Sequence, residues 1–152
     1  LAEKQKLRFQ YGILERQFRR YFGIAQRKRG VTGEILLQLL ETRLDNVVFR
    51  LGFASSRSAS RQMVGHGHVL VNGRKCDISS YSVKPGDKVT VKESSKSRGL
   101  ASRGLEMTQI SPVPAWLELD KETYSGTVSR IPSRDEIAPI VNEQLIVELY
   151  SR

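Results

Sequence analysis

The sequence predicts an α+β protein with helices at both ends and a small sheet between them. Three observations predict this. Apolar residues recur every three or four positions through roughly the first 40 residues, short helical runs bounded by Ser and Gly follow, and valines then alternate next to turn residues as in half-buried strands.

From Ala2 to about Ala25, Leu7, Tyr11, Leu14, Phe18 and Phe22 mark the apolar stripe of one helix, with Arg16, Arg20 and Arg27 on the opposite side. Gly12 and Gly23 weaken it, and Gln26-Arg27-Lys28-Arg29-Gly30 reads as an exposed turn. Thr32 is placed to cap a second helix, with Glu34 in its first turn and Ile35, Leu36, Leu39 and Leu40 on its apolar face. These two helices should pair antiparallel. Arg43 to Leu51 is a third helix, stopped by Gly52. Ser56 caps a fourth through about Val64, with Ala59 and Met63 inward and Gly65 and Gly67 at its end. Val69 and Val71 form a strand running into the Asn72-Gly73 turn, and Val89 and Val91 form another after Lys84-Pro85-Gly86-Asp87. Ser94-Ser95-Lys96-Ser97-Arg98-Gly99 reads as a polar connector, followed by a weak helix over 100–109 and a Pro112/Pro114 spacer. Trp116–Asp120 and Tyr124–Ile131 look like two further strands. Ser133 and Glu136 have capping-box spacing, but Pro139 allows only a short turn there. The last helix therefore starts at Asn142, with Leu145, Ile146, Leu149 and Tyr150 on its apolar face.

The chain has 152 residues, 25 Lys plus Arg against 16 Asp plus Glu, a net charge of +9 and 39% hydrophobic residues, a globular composition. No apolar run approaches the ~20 residues of a spanning helix, so no membrane partner is expected. The first residues carry neither an initiator Met nor a secretory h-region, and a truncated start is expected. A single cysteine, Cys76, can form neither an internal disulfide nor a Cys-based zinc site. The charge is polarised: residues 1 to 32 carry +7, residues 43 to 75 carry +5, and residues 116 to 152 carry −3. Arginines outnumber lysines 16 to 9, which favours planar, bidentate contact with phosphate. Nucleic acid is the leading partner, with a merely solvated basic face as the alternative.

The most informative stretch is residues 43 to 92. Arg57 and Arg61 lie one helical turn apart, about 5.4 Å along the axis, within reach of neighbouring phosphates. Replacing both by Ala is expected to weaken RNA binding and leave the thermal midpoint nearly unchanged; normal binding would assign the pair to the solvated face. His66, His68, Asn72, Arg74 and Lys75 add donors around the loop and turn, where Gly65, Gly67 and Gly73 admit close approach. Arg16, Arg20 and the turn Arg27-Lys28-Arg29 supply further cations from the first helix. The acidic remainder, with Glu118, Asp120, Asp135 and Glu136, is a candidate protein contact.

Arg43-Leu44-Asp45, Arg50-Leu51-Gly52-Phe53, Ser56-Arg57, Arg61-Gln62, His68-Val69-Leu70-Val71-Asn72-Gly73 and Val83-Lys84-Pro85-Gly86-Asp87 resemble the RNA-binding module named after small-subunit ribosomal protein S-four. Tyr11-Gly12, Leu14-Glu15-Arg16-Gln17-Phe18, Thr32-Gly33-Glu34, Pro114-Ala115-Trp116-Leu117-Glu118 and Asn142-Glu143 with Leu145 to Arg152 extend the resemblance to the bacterial or organellar ribosomal family, without its N-terminal segment. Ser60, where the module usually has Ala, and residues 94 to 113 depart from the pattern. The resemblance implies a helical lobe (residues 1–42, completed by a terminal helix over 139–152) with an inserted RNA-binding module (43–93) of short helices packed on a small, mainly antiparallel sheet. Residues 94–138 would be a connector with strands extending the module. It also implies a structural, non-catalytic constituent of the small subunit that binds ribosomal RNA early, at a helix junction of the 5′ domain. Such a protein nucleates assembly, contributes to decoding accuracy and contacts neighbouring protein number five near the messenger RNA entry path. Some members repress their own messenger. The ribosome would be that of the bacterial cytoplasm or an organelle, and no cofactor is implied.

Other readings are weaker. Arg-Leu-Asp also opens the catalytic motif of one pseudouridine synthase class, but Asp45 is followed by Asn46-Val47-Val48-Phe49, without that motif's Thr and Gly, and is better read as a local partner for an arginine. His66 and His68 lack a third metal ligand, Cys76 lacks the His and Asn/Asp partners of a catalytic thiol, and Trp116 beside Leu117 and Leu119 reads as core.

Overall fold

The computed structural model describes residues 2–137 and 147–149. They group into two compact units, one running to Glu41 and resuming at Pro132, the other spanning Thr42–Ile131. The predicted boundary at residue 94 thus falls inside a unit, and Pro132 to Ile137 go with the helices.

In the first unit, α1 (Ala2–Tyr11), α2 (Glu15–Arg27) and α3 (Thr32–Glu41) replace the predicted pair of helices. Gly12 takes φ +67°, and the Ile13 amide turns back to the Arg8 carbonyl at 3.1 Å, closing α1 as a left-handed cap closes a helix. The break re-phases the stripe. Ile13 is buried and Leu14, expected inside, is 75% exposed. Lys4, itself buried, bridges the break by donating to Glu15 Oε1 at 2.8 Å, and the buried Tyr11 hydroxyl donates to Glu41 at the end of α3. Phe18, Phe22 and Ala25 of α2 meet Leu36, Leu37 and Leu40 of α3 in one apolar cluster, joined by Ile137. Ser133 and Glu136 form the expected capping box around a 3₁₀ turn, Arg134–Glu136. Residues 147–149 are helical, with Val147 against the same cluster, whereas Asn142, Leu145, Ile146 and Tyr150 lie outside the described residues.

The second unit begins with α4 (Leu44–Leu51), closed by Gly52 at φ +91°, and α5 (Arg57–Gly65), capped by Ser56 Oγ accepting from the Ala59 amide at 3.0 Å. Ser60, a small residue, is buried on α5 together with Met63 and Val64, while Ala59 is only half-buried. Strands β1 (Val69–Val71), β2 (Arg74–Lys75), β3 (Lys88–Val91), β4 (Leu117–Asp120) and β5 (Ser125–Val128) form one antiparallel sheet in the order β2-β1-β3-β5-β4. Asn72 and Gly73, both at positive φ, make the two-residue hairpin that pairs Val71 with Arg74. Val69, Val71, Val89, Val91 and Val128 of the sheet meet Leu44, Val48 and Leu51 of α4 and the buried Trp116 in a second core. Gly126 of β5 is part of that fit, since a Cβ there would come within 2.4 Å of Leu51.

Residues 94–99 are not a connector. Helix α6 (Ser95–Thr108) begins there, because Ser94 Oγ accepts from the Ser97 amide at 3.1 Å and caps it. Its buried face consists of Ser97, Ala101 and Gly104, too small to register as an apolar stripe. That smallness permits close approach: a Cβ on Gly104 would sit 2.2 Å from the Phe53 carbonyl oxygen. Gly104→Ala should therefore destabilise the protein by about 1–3 kcal/mol through overpacking. Gly99→Ala, which meets open space, should stabilise it by up to about 1 kcal/mol. Urea unfolding midpoints of the two variants check both signs.

Candidate nucleic-acid interface

In the first unit Arg16 and Arg20 stand exposed on α2, and Arg27, Lys28 and Arg29 follow one another through its end. The C-terminal dipole of α2 favours cations at that position. The Lys28 amide still reaches the Ala25 carbonyl, and Gly30 at φ +123° then turns the chain, which leaves the three side chains in solvent. Arg19 is differently placed: its Nε donates to Glu15 Oε1 at 3.0 Å.

In the second unit the predicted arginine pair has internal work. Asp45 is buried at the start of α4, where Arg43 Nε and Nη2 each donate to its carboxylate at 3.0 Å and the Asn46 amide donates at 2.7 Å. Arg61 Nε reaches the same carboxylate from α5 at 3.3 Å. Arg57 Nε donates to Asn46 Oδ1 at 2.9 Å, and its guanidinium lies 4.6 Å from the centre of the Phe49 ring, a cation–π contact. Both arginines therefore bind α5 to α4, which removes the basis for expecting a nearly unchanged thermal midpoint when both are replaced by Ala.

Asn72 is likewise committed. Its Nδ2 donates to Asp87 Oδ1 at 3.0 Å and its Oδ1 accepts from the Lys88 amide at 2.9 Å, which locks the hairpin turn to β3. Arg74 and Lys75 are exposed on β2. Gly67, at φ +82°, lies under the Lys75 side chain, since a Cβ there would come within 2.6 Å of Lys75 Cε. Lys75 thereby crosses the loop of His66 and His68, whose ring centroids are 6.4 Å apart. Ser97 Oγ holds His68 Nδ1 at 2.7 Å. Burial, followed by the charges of Lys96, His66 and Lys92, keeps the His68 imidazole below its ordinary pKa of 6.5. Lys96 does not stand out in the sequence, because residues 94–99 read as a connector, and Lys92 lies just ahead of that stretch. The available signal is the run of serines that caps α6. The result is an electropositive patch on a loop, a β-turn and the first turn of a helix. It can attract phosphate and offer imidazole, ammonium and guanidinium donors, and among the described residues no cluster of three or more His, Cys, Asp and Glu could hold a metal ion.

The acidic candidates do not form one group. Glu118 is exposed on β4, and Asp120 Oδ1 accepts from the Glu122 amide at 3.0 Å in the turn after it. Asp135 and Glu136 lie on the 3₁₀ turn of the other unit, where Glu136 Oε1 accepts from the Ser133 amide at 2.9 Å.

Residues 42–89 match the S4 domain family, and residues 1–41 match the family described as ribosomal protein S4/S9 N-terminal domain. The small ribosomal subunit protein uS4 of Akkermansia muciniphila is 60% identical over all 152 residues, which cover 75% of that protein. The proteins of the same name from Opitutus terrae and Natranaerobius thermophilus are 62% and 56% identical over the whole chain, covering 75% and 73% of their lengths.

Two outcomes follow from this geometry. Replacing Arg57 and Arg61 together by Ala should lower stability by about 1–3 kcal/mol, because the variant has neither the charged hydrogen bonds nor the cation–π interaction that tie α5 to α4; thermal melting of the double variant checks it. His68 has a folded-state pKa below its unfolded value, so the unfolded chain takes up the proton first. Its contribution to stability is complete above pH ~6.5 and declines as pH falls below that value. His68→Gln should flatten the dependence of the denaturation midpoint as pH falls below ~6.5.

Proposed function

The chain belongs to the small ribosomal subunit protein uS4 family, and from that premise we propose that it binds small-subunit ribosomal RNA through the basic faces of its two units. It acts as a structural constituent of the ribosome, in a bacterial cytoplasm or an organelle. On this reading it docks early on a helix junction of the 5′ domain, nucleates assembly and contributes to decoding accuracy. It also meets protein number five near the messenger RNA entry path, with the acidic Glu118 to Asp120 edge as a protein contact.

One observation carries this reading: exposed cations gather at backbone turns and helix ends, at Arg27 to Arg29 and around His66 to Lys75, where folded RNA can reach them. A structured A-form ligand hides its base edges in a deep, narrow groove, so backbone and shape contacts from such cations supply most of the affinity. A catalytic reading has little support. Asp45, the carboxylate that would serve as nucleophile, is only 1% exposed and is held by Arg43 and Arg61.

The protein should bind a 5′-domain junction fragment of small-subunit RNA much more tightly than tRNA or an unrelated duplex. Filter binding at several salt concentrations tests this, and equal affinity for all three would overturn the assignment. Changing Arg27, Lys28 and Arg29 together to Ala should reduce the slope of log K against log salt by about two to three, roughly one for each phosphate no longer neutralised.

A further inference from the structure

A groove of about 410 Å³ lies between α5 and α6. Its lining has two chemistries. Met63 from α5 and Leu100 and Met107 from α6 make an apolar surface, and Met107 is 72% exposed. His66, His68, Lys96 and Arg103 make the polar part, with Gln62 beside them and no carboxylate in the lining. The groove depends on Gly104, whose lack of a side chain lets α6 lie directly against the Phe53 backbone.

On α6, Lys96, Leu100, Arg103 and Met107 fall at spacings of four, three and four, so they share one face. Lys96 and Arg103 stand two turns apart, about 10.5 Å along the axis. An apolar surface flanked by two cations, without an acidic residue, suits a flat apolar body that carries negative charge at its margins. A nucleotide has that form. A base stacked inside a duplex cannot present its faces, whereas an unstacked base in a loop or bulge can, and the Gln62 amide offers both a donor and an acceptor to its edge. The groove is also continuous with the electropositive patch on the loop and β-turn, because His66 and His68 belong to both.

We propose that the groove between α5 and α6 is a slot for a single unstacked nucleotide of the bound RNA, its base against Met63, Leu100 and Met107 and its flanking phosphates on Lys96 and Arg103. The slot rests on the RNA-binding reading and adds to it a place where one nucleotide is taken out of the stack. Thioether contact with the π-face and cationic contact with the backbone supply the affinity.

The test uses the full chain bound to small-subunit RNA, with a photo-crosslinking amino acid at position 107. Irradiation should join it to one nucleotide in a single-stranded loop or bulge. Ala59→Leu, which fills the groove, should abolish that crosslink and weaken binding about tenfold. Lys96→Gln with Arg103→Gln, both on the exposed surface, should weaken binding without moving the thermal midpoint. No crosslink to RNA, a crosslink to paired RNA, or parental affinity in both groove variants would each overturn the slot. If the groove variants bind like the parent and the Arg27-Lys28-Arg29 variant still shows the reduced salt slope, the slot falls and the RNA-binding reading stands. If the parent itself does not bind the RNA, both fall.

Discussion

The carboxylate of Asp45 organises the start of the second unit. Buried charge is costly to desolvate, and burying a pair is tolerable only where the remaining lone pairs are met. Here the Arg43 fork, the Asn46 amide and Arg61 meet them. The surrounding backbone is held at the same place: the Leu44 and Asp45 amides at the head of α4 donate to the Tyr81 and Ser79 carbonyls, and the Val83 amide donates to Thr42. The carboxylate therefore ties the start of α4 to the arginine side of α5, and the backbone around it holds the loop that leads towards β3. Such a pair contributes less net stability than its geometry suggests, and its larger effect is to fix where Arg61 stands, while Arg57 is held by Asn46 and Phe49 of α4.

That constraint sorts the positive charge of the chain into two kinds. Lys4, Arg43, Arg57 and Arg61 are spent at least partly on internal partners. Arg27, Lys28, Arg29, Arg74, Lys75 and Lys96 are exposed. The net charge of +9 cannot distinguish them, because it counts a buried guanidinium and a solvated one alike. Long-range attraction of RNA follows the total, whereas the choice of where RNA rests follows the exposed set.

Much of the fold was legible where one residue has one local task. Gly52 ending α4, Ser56 opening α5, the Asn72-Gly73 hairpin and the Ser133/Glu136 capping box are all settled within four residues of chain. The departures share a different cause. Gly12 looks like a weak point inside a helix and is its end, because the left-handed turn there depends on where the next helix packs. The first turns of α6 are hidden in the sequence because its buried face is made of Ser, Ala and Gly, whose role is to admit a neighbouring backbone. For the candidate site, residue types and the family resemblance pointed to the loops and turns where Arg27, Lys28, Arg29, Arg74 and Lys75 stand exposed. That Arg57 and Asn72 already have partners could not be read, since those partners lie 11 and 15 residues away with no period to signal them.

The two-residue strand β2 has a consequence beyond RNA. It ends one side of the sheet, and an open sheet edge is a template on which another chain can add strands. An edge of only Arg74 and Lys75 offers few backbone groups, and a second copy would have to lay its own cations against them. The opposite edge, β4, carries Glu118 and Asp120 and repels its own kind in the same way. Opposite charges on the two margins leave each copy reluctant to grow into an aggregate through like edges during the interval between synthesis and capture by its partner.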